Sequence, residues 1–244
     1  MSEPVRSRRA RQLAEAALGR IVVAYAATPE FVLLGGLVPD LLCAGALIPH
    51  AGTTDVDVQV DLEIAGGSIN AARLEAALHT AGFVVDEHRA WRWEDHRAPG
   101  MVVKAEFLTD LADIPNHTTV TFDRCDDLGA INLRGTGFAA KDWETKRVEV
   151  SSDGVTNTMM LRVAGLAGYL LAKIHAARER RAPKDWYDVT YVLLHNDLGG
   201  PTAAAEYASG SKRISSARHA PHSRTSRATS PIRLLRDQRR TPRP

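Results

Sequence analysis

Asp55-Val56-Asp57-Val58-Gln59-Val60-Asp61-Leu62-Glu63-Ile64 alternates without a break between an acidic or amide side chain and an aliphatic one. Side chains alternate across a strand, so the pattern predicts a β-strand over 55–64 with one apolar and one acidic face. Asp55 and Asp57 begin that acidic face with Cα atoms roughly 6.5–7 Å apart. Two carboxylates so close repel each other unless a cation sits between them, and a small hard ion such as Mg²⁺ suits that place. The alternative is a half-exposed strand that keeps a charged solvent face.

Upstream lies a short apolar run, Phe31-Val32-Leu33-Leu34, followed by Gly35-Gly36. Leu37 to Leu47 reads as a helix with Pro39 in its first turn, where a missing N–H costs little. Strand, glycine pair and helix start form an arrangement in which backbone N–H groups can approach phosphate at a positive helix end. Thr53-Thr54 then leads into Asp55. A phosphate cradle is thereby expected beside a carboxylate pair.

Further along, Met101 to Leu108 reads as another strand, with Glu106 among apolar neighbours. A lone carboxylate there is costly unless paired or ligated, and Lys104 on the same parity offers an ion pair. The spacing predicts a long helix from Met159 to about Arg181, with Leu166, Leu170, Ile174 and Ala177 facing inward. Lys173 stands at the edge of that apolar stripe, which suggests an anionic partner; a snorkelling lysine is the alternative. Pro183 opens a second helix to about His195. Its Asp185 shares a face with Val189 and Val192, either as a first-turn acid or as a partner for Lys173.

Leu34-Gly35-Gly36 with Thr54-Asp55-Val56-Asp57, then Lys173 and Lys184-Asp185-Trp186-Tyr187-Asp188, resembles the signatures of the DNA-polymerase-β-type nucleotidyltransferase fold. In its Gly-Gly form with Thr before Asp-x-Asp it is similar to the AbiEii/MenT-type nucleotidyltransferase toxins of bacterial toxin–antitoxin systems. The resemblance covers about residues 20–200. It implies an enzyme that moves a nucleoside monophosphate from an NTP to an acceptor hydroxyl. Asp55, Asp57 and Glu106 would be metal ligands for two Mg²⁺ ions, although the family more often carries Asp at the third position. Gly35, Gly36, Thr54 and Lys173 would bind the nucleotide, and Asp185 would orient or activate groups at the site, with Asp188 secondary to it. A tRNA 3′ end as acceptor and a cognate antitoxin protein are implied as partners.

The implied fold class is α/β (α+β), a mixed sheet flanked by helices. The expected domains are a nucleotidyltransferase domain over 1–150, a helical region over 151–208 and a disordered basic tail over 209–244. That tail carries 10 Lys/Arg and a single acid, Asp237, whereas residues 1–208 carry 21 bases and 28 acids. Its Ser- and Pro-rich composition begins abruptly after Tyr207, as after a truncation or a shifted reading frame, and predicts disorder. Two rivals follow. An acidic body fits a cationic, antibiotic-type acceptor for the same chemistry, and the break in composition fits a non-catalytic relic or binding module.

Cys43 and Cys125 form no metal or disulfide pattern, and no stretch is uniformly apolar enough to span a membrane, so a cytoplasmic protein is expected. His79, His88 and His96 have no convergent ligand spacing, which argues against zinc. Arg89, Trp91, Arg92 and Trp93 fall in a charged segment. The preferred reading packs both tryptophans on the sheet; the alternative turns the segment toward a nucleobase or RNA.

Overall fold

The computed structural model describes residues 8–51, 55–60, 68–152, 155–202, 205 and 233–234, and for 55–60 it describes the backbone and its strand pairing. The chain begins with α1 (Arg8–Tyr25), β1 (Phe31–Leu33), a 3-10 turn over Gly35–Leu37, α2 (Val38–Leu42), β2 (Asp55–Val60) and α3 (Ser68–Thr80). It continues with β3 (Val84–Asp86), β4 (Arg89–Asp95), β5 (Val103–Thr109), β6 (Thr119–Thr121), β7 (Gly129–Asn132) and α4 (Gly137–Lys141). The hairpin β8 (Trp143–Ser152) and β9 (Val155–Ala164), then α5 (Leu166–Arg180), α6 (Pro183–His195) and the two-residue β10 (Arg233–Leu234), complete the described elements.

These strands form one mixed sheet in the order β10-β6-β7-β5-β2-β1-β9-β8, with β4 branching from β5 and carrying β3. The expected α+β class, a mixed sheet flanked by helices, is what forms. β5 is its hub. One edge runs parallel to β2 from Asp55↔Lys104 to Gln59↔Leu108. The other edge is shared, with β4 antiparallel along its first half and β7 parallel at its end.

Residue parity divides the two faces. Ala105, Phe107 and Trp93 lie on the face that α1 and α3 cover, and all three are buried in the core. α3 reaches Trp93 through His79, whose ring centre is 4.9 Å from the indole. α1 reaches the same face through the Arg20–Asp95 ion pair. Register puts Asp55, Asp57, Lys104, Glu106 and Arg92 on the opposite face. The alternation visible in the sequence thus separates a helix-packed core from a charged face.

Several expected boundaries move. The helix foreseen over Leu37–Leu47 stops at Leu42, because the Asp197 carboxylate takes the Ala44 and Gly45 N–H groups at 2.9 Å each and pulls that turn toward the end of α6. Residues 159–164 are strand rather than helix. Met159, Leu161 and Val163 are buried, with exposed Met160 and half-buried Arg162 between them, which is period two and not 3.6. β9 pairs with β8 from Trp143↔Ala164 to Ser152↔Val155 and runs parallel to β1, so the sheet continues past the domain boundary expected at residue 150.

The helix proper starts after Gly165. A Cβ there would stand 2.6 Å from Asp142 Oδ2, and one at Gly168 would stand 2.7 Å from the Asp142 carbonyl oxygen, so only glycine lets α4 and α5 close on each other. Of the stretch 209–244, Arg233 and Leu234 pair with β6; the rest lies outside the described residues, as do Thr54 and residues 61–64.

Candidate active site

On the charged face a cleft of about 550 Å³ opens between the sheet and α5. Leu34 and Gly35 enter it from the end of β1, Trp91 and Arg92 from β4, Glu106 and Leu108 from β5, and Lys173 and Arg180 from α5. Gly35, Glu106 and Lys173, singled out from three distant parts of the sequence, therefore line one cavity.

Gly35 has φ +82°, a backbone conformation that L side chains rarely adopt, which accounts for glycine at the turn out of β1. Gly36 is buried behind it, and the turn packs against β2. The short α2 that follows gives much less of a helix dipole than the eleven-residue helix expected from sequence. Asp57 pairs in register with Glu106, and Asp55 with Lys104, so Asp55, Asp57 and Glu106 occupy one face of two adjacent parallel strands. The ion pair Glu106 makes is not with Lys104. Arg92, its antiparallel neighbour on β4, donates from Nε at 2.8 Å and also from Nη2 to the same oxygen, Oε1.

Lys173 is only 8 % exposed, and it is held from behind. Its Nζ lies 3.0 Å from Asp188 Oδ2 and 3.5 Å from Asp185 Oδ1. Asp185 has no exposed surface; Arg180 donates to its Oδ1 at 2.9 Å, while its Oδ2 is buried with no hydrogen-bond partner. Asp188, the member of the motif given less weight in the sequence, makes the shorter contact with Lys173. It also faces His50 Nε2 at 3.0 Å. His50 in turn packs against the rings of Tyr187 and Tyr191, with centres 5.1 and 5.0 Å away. Nothing in the sequence marked His50, since 138 residues separate it from Asp188.

The two tryptophans divide their roles. Trp93 is fully buried in the core, as the preferred reading expected. Trp91 lines the cleft, with the guanidinium of Arg92 5.0 Å and that of Arg89 5.9 Å from its ring centre. With Arg134 of the β7–α4 loop, Lys173 and Arg180, the cleft wall carries five cationic side chains against two carboxylates, Glu106 and Glu179. Glu179 sits at the rim. Burial pushes its carboxyl up, but hydrogen bonds from His117 at 2.8 Å and Asn116 at 2.7 Å outweigh that and hold it below the usual glutamate range.

One other group of ligand-type side chains occurs among the described residues. Glu75, His79 and Asp127 bring their donor atoms within 4.8 Å of one another. Glu75 and His79 are one helical turn apart, whereas Asp127 arrives from the β6–β7 turn, so histidine spacing alone could not have found them. The Glu75 carboxylate already accepts the N–H groups of Asp126, Asp127 and Leu128 at 3.2, 2.6 and 2.7 Å, which makes it the cap of that turn. Among the described residues no helix is long and apolar enough to cross a membrane. Comparisons with protein-family models, with curated proteins and with solved structures give no match to this chain.

Proposed function

We propose that the protein is a metal-dependent nucleotidyltransferase that moves a nucleoside monophosphate from an NTP to an acceptor hydroxyl and releases pyrophosphate. The observation that carries this reading is the convergence of Gly35, Glu106 and Lys173 on one cationic cleft, with Asp57 level with Glu106 on the neighbouring strand. The residue types suit a hard divalent ion, since Asp55, Asp57 and Glu106 hold register positions on one sheet face and offer oxygen ligands only. Asp55, Asp57 and Glu106 would hold Mg²⁺, which when bound stabilises charge on the phosphoryl oxygens.

The chain's own residues supply the rest. Gly35 lets backbone approach the phosphates without a side chain in the way. Lys173 faces them as a cation fixed from behind by Asp185 and Asp188, so its position costs little reorganisation when the anion arrives. Asp185 and Asp188 are positioning residues in this scheme, because both are buried beneath Lys173.

We further propose, from the motif likeness to AbiEii/MenT-type toxins, that the acceptor is the 3′ end of tRNA, that the protein acts in the cytoplasm, and that a cognate antitoxin restrains it. Each cation of the cleft wall is paired with a carboxylate, Asp86, Glu106, Asp110, Asp185 or Asp188, so the cleft's charge does not choose between a polyanionic acceptor and a cationic antibiotic.

Incubation with α-³²P-labelled NTPs, Mg²⁺ and total tRNA tests the reading. Label is expected in tRNA with wild-type protein and absent with Asp57→Ala. Label in a small aminoglycoside but not in tRNA would favour the antibiotic-type reading. No label in any acceptor, together with no nucleotide binding, would sink the enzymatic reading.

A further inference from the structure

We propose that Arg92 is a phosphate-binding residue parked on Glu106, released to the triphosphate when a divalent cation takes that carboxylate; this rests on the nucleotidyltransferase reading of the cleft. The cations around the cleft differ in what holds them. Arg89 pairs with Asp86, Arg180 with Asp185, and Lys173 with Asp185 and Asp188. Arg134 is tied to Asp110 and to the carbonyls of Leu111, Ala112 and Ile114. None of those acceptors is a proposed metal ligand. Among the described side chains Arg92 alone of the five is paired to one, and it spends two donors on a single oxygen, Glu106 Oε1.

Both arginine donors sit on Oε1, which leaves Oε2 for a divalent ion, and once the ion is seated on the shared carboxylate the two cations repel each other. Arg92 then has two things in reach. Its guanidinium already lies 5.0 Å from the centre of the Trp91 ring, a face against which it can turn while still partly desolvated. A bidentate phosphate contact replaces the lost carboxylate one, and a guanidinium fork matches that geometry. Metal and triphosphate therefore assist each other: the ion frees the arginine that the phosphates need, and by linkage the phosphates ease entry of the ion. Without metal, the pair keeps Glu106 neutralised beside Asp57.

The test uses the full chain and two base-independent probes, Mn²⁺ followed by its EPR signal and Mg²⁺–tripolyphosphate followed by calorimetry. Arg92→Gln is expected to bind Mn²⁺ about three- to tenfold more tightly and Mg²⁺–tripolyphosphate at least about tenfold more weakly. Glu106→Gln, which frees Arg92, is expected to bind tripolyphosphate in EDTA about threefold more tightly than wild type. Arg92→Lys, which keeps the charge but loses the fork, carries the first comparison if circular dichroism finds Arg92→Gln unfolded. Opposite signs for metal and phosphate support the proposal, since a merely structural arginine would move both the same way. Both affinities falling together, or Mn²⁺ affinity unchanged, overturns the role of Arg92 alone. Wild-type protein that takes up neither probe overturns the nucleotidyltransferase reading and this role with it.

Discussion

Replacing Asp188 by alanine is the sharpest test of how the cleft's cation is held. Asp188 is 1 % exposed and faces Lys173 Nζ and His50 Nε2, each at 3.0 Å. Without it, Lys173 keeps Asp185 Oδ1 at 3.5 Å, the outer limit of a hydrogen bond, and that oxygen is already shared with Arg180. Removing one partner of a buried ion pair strands the other charge and costs roughly 3–5 kcal/mol. For a chain of ordinary stability, about 5–15 kcal/mol, that is a large fraction of the whole. Asp188→Asn keeps the volume and one acceptor oxygen, so its expected cost is smaller, about 1–3 kcal/mol.

The measurement is equilibrium urea unfolding at pH 7, read by far-UV circular dichroism and tryptophan fluorescence, for Asp188→Ala, Lys173→Met and the double variant. Groups in contact do not add. Once Asp188 is gone the buried ammonium is a liability, so Lys173→Met in that background is expected to recover part of the loss. Asp188→Ala costing less than about 1 kcal/mol, or strict additivity in the double variant, would mean that Lys173 is not gripped from behind. The account of a preset cation would then fail, even if the protein proved to transfer nucleotides.

Other consequences are more local. Glu75→Ala strips three N–H groups of their acceptor and is expected to lower stability by about 2–4 kcal/mol, whereas Glu75→Gln keeps one oxygen and costs less; thermal unfolding separates them. Burial, reinforced by nearby carboxylates, pushes the Cys43 and Cys125 thiols up to about 12, so neither is expected to react with a disulfide reagent at pH 8 until urea is added. Burial first, and then Asp40, pushes Tyr191 up to about 12 as well. These three groups ionise in the unfolded chain at lower pH than in the folded one. Their effect on stability is flat below about pH 9, and stability is then lost as pH climbs toward about 12. Glu179 has the opposite sign. Its lowered carboxyl adds stability above the ordinary glutamate range that disappears as pH falls through the folded value, so Glu179→Gln should flatten the acid limb of a stability–pH curve.

How much of this was legible in the sequence depends on the distance over which each signal acts. The strict alternation of 55–60 and the short apolar run 31–33 are local, and each reports a strand because side chains along a strand alternate whatever lies beside it. The same holds for α6, opened by Pro183 and ending at His195 as its pattern implies. Met159 to Ala164 misled for a local reason too. Its apolar residues fall at positions that a helical stripe also uses, and only the β8 and β1 partners on either side select period two. The sequence pattern carries α2 on to Leu47 because the carboxylate that stops it, Asp197, lies more than 150 residues away.

The site follows the same rule. Gly35 could be found from a turn that demands glycine, and Lys173 from an ammonium placed on an apolar stripe, both of them local oddities. Arg92 and His50 could not. An arginine in an exposed-looking hairpin and a histidine in a loop are unremarkable until tertiary pairing sets one against Glu106 and the other against Asp188. What the sequence hides is therefore the counter-ions. In a cationic cleft they matter most, because they decide which positive charge is fixed in place and which is free to change partner.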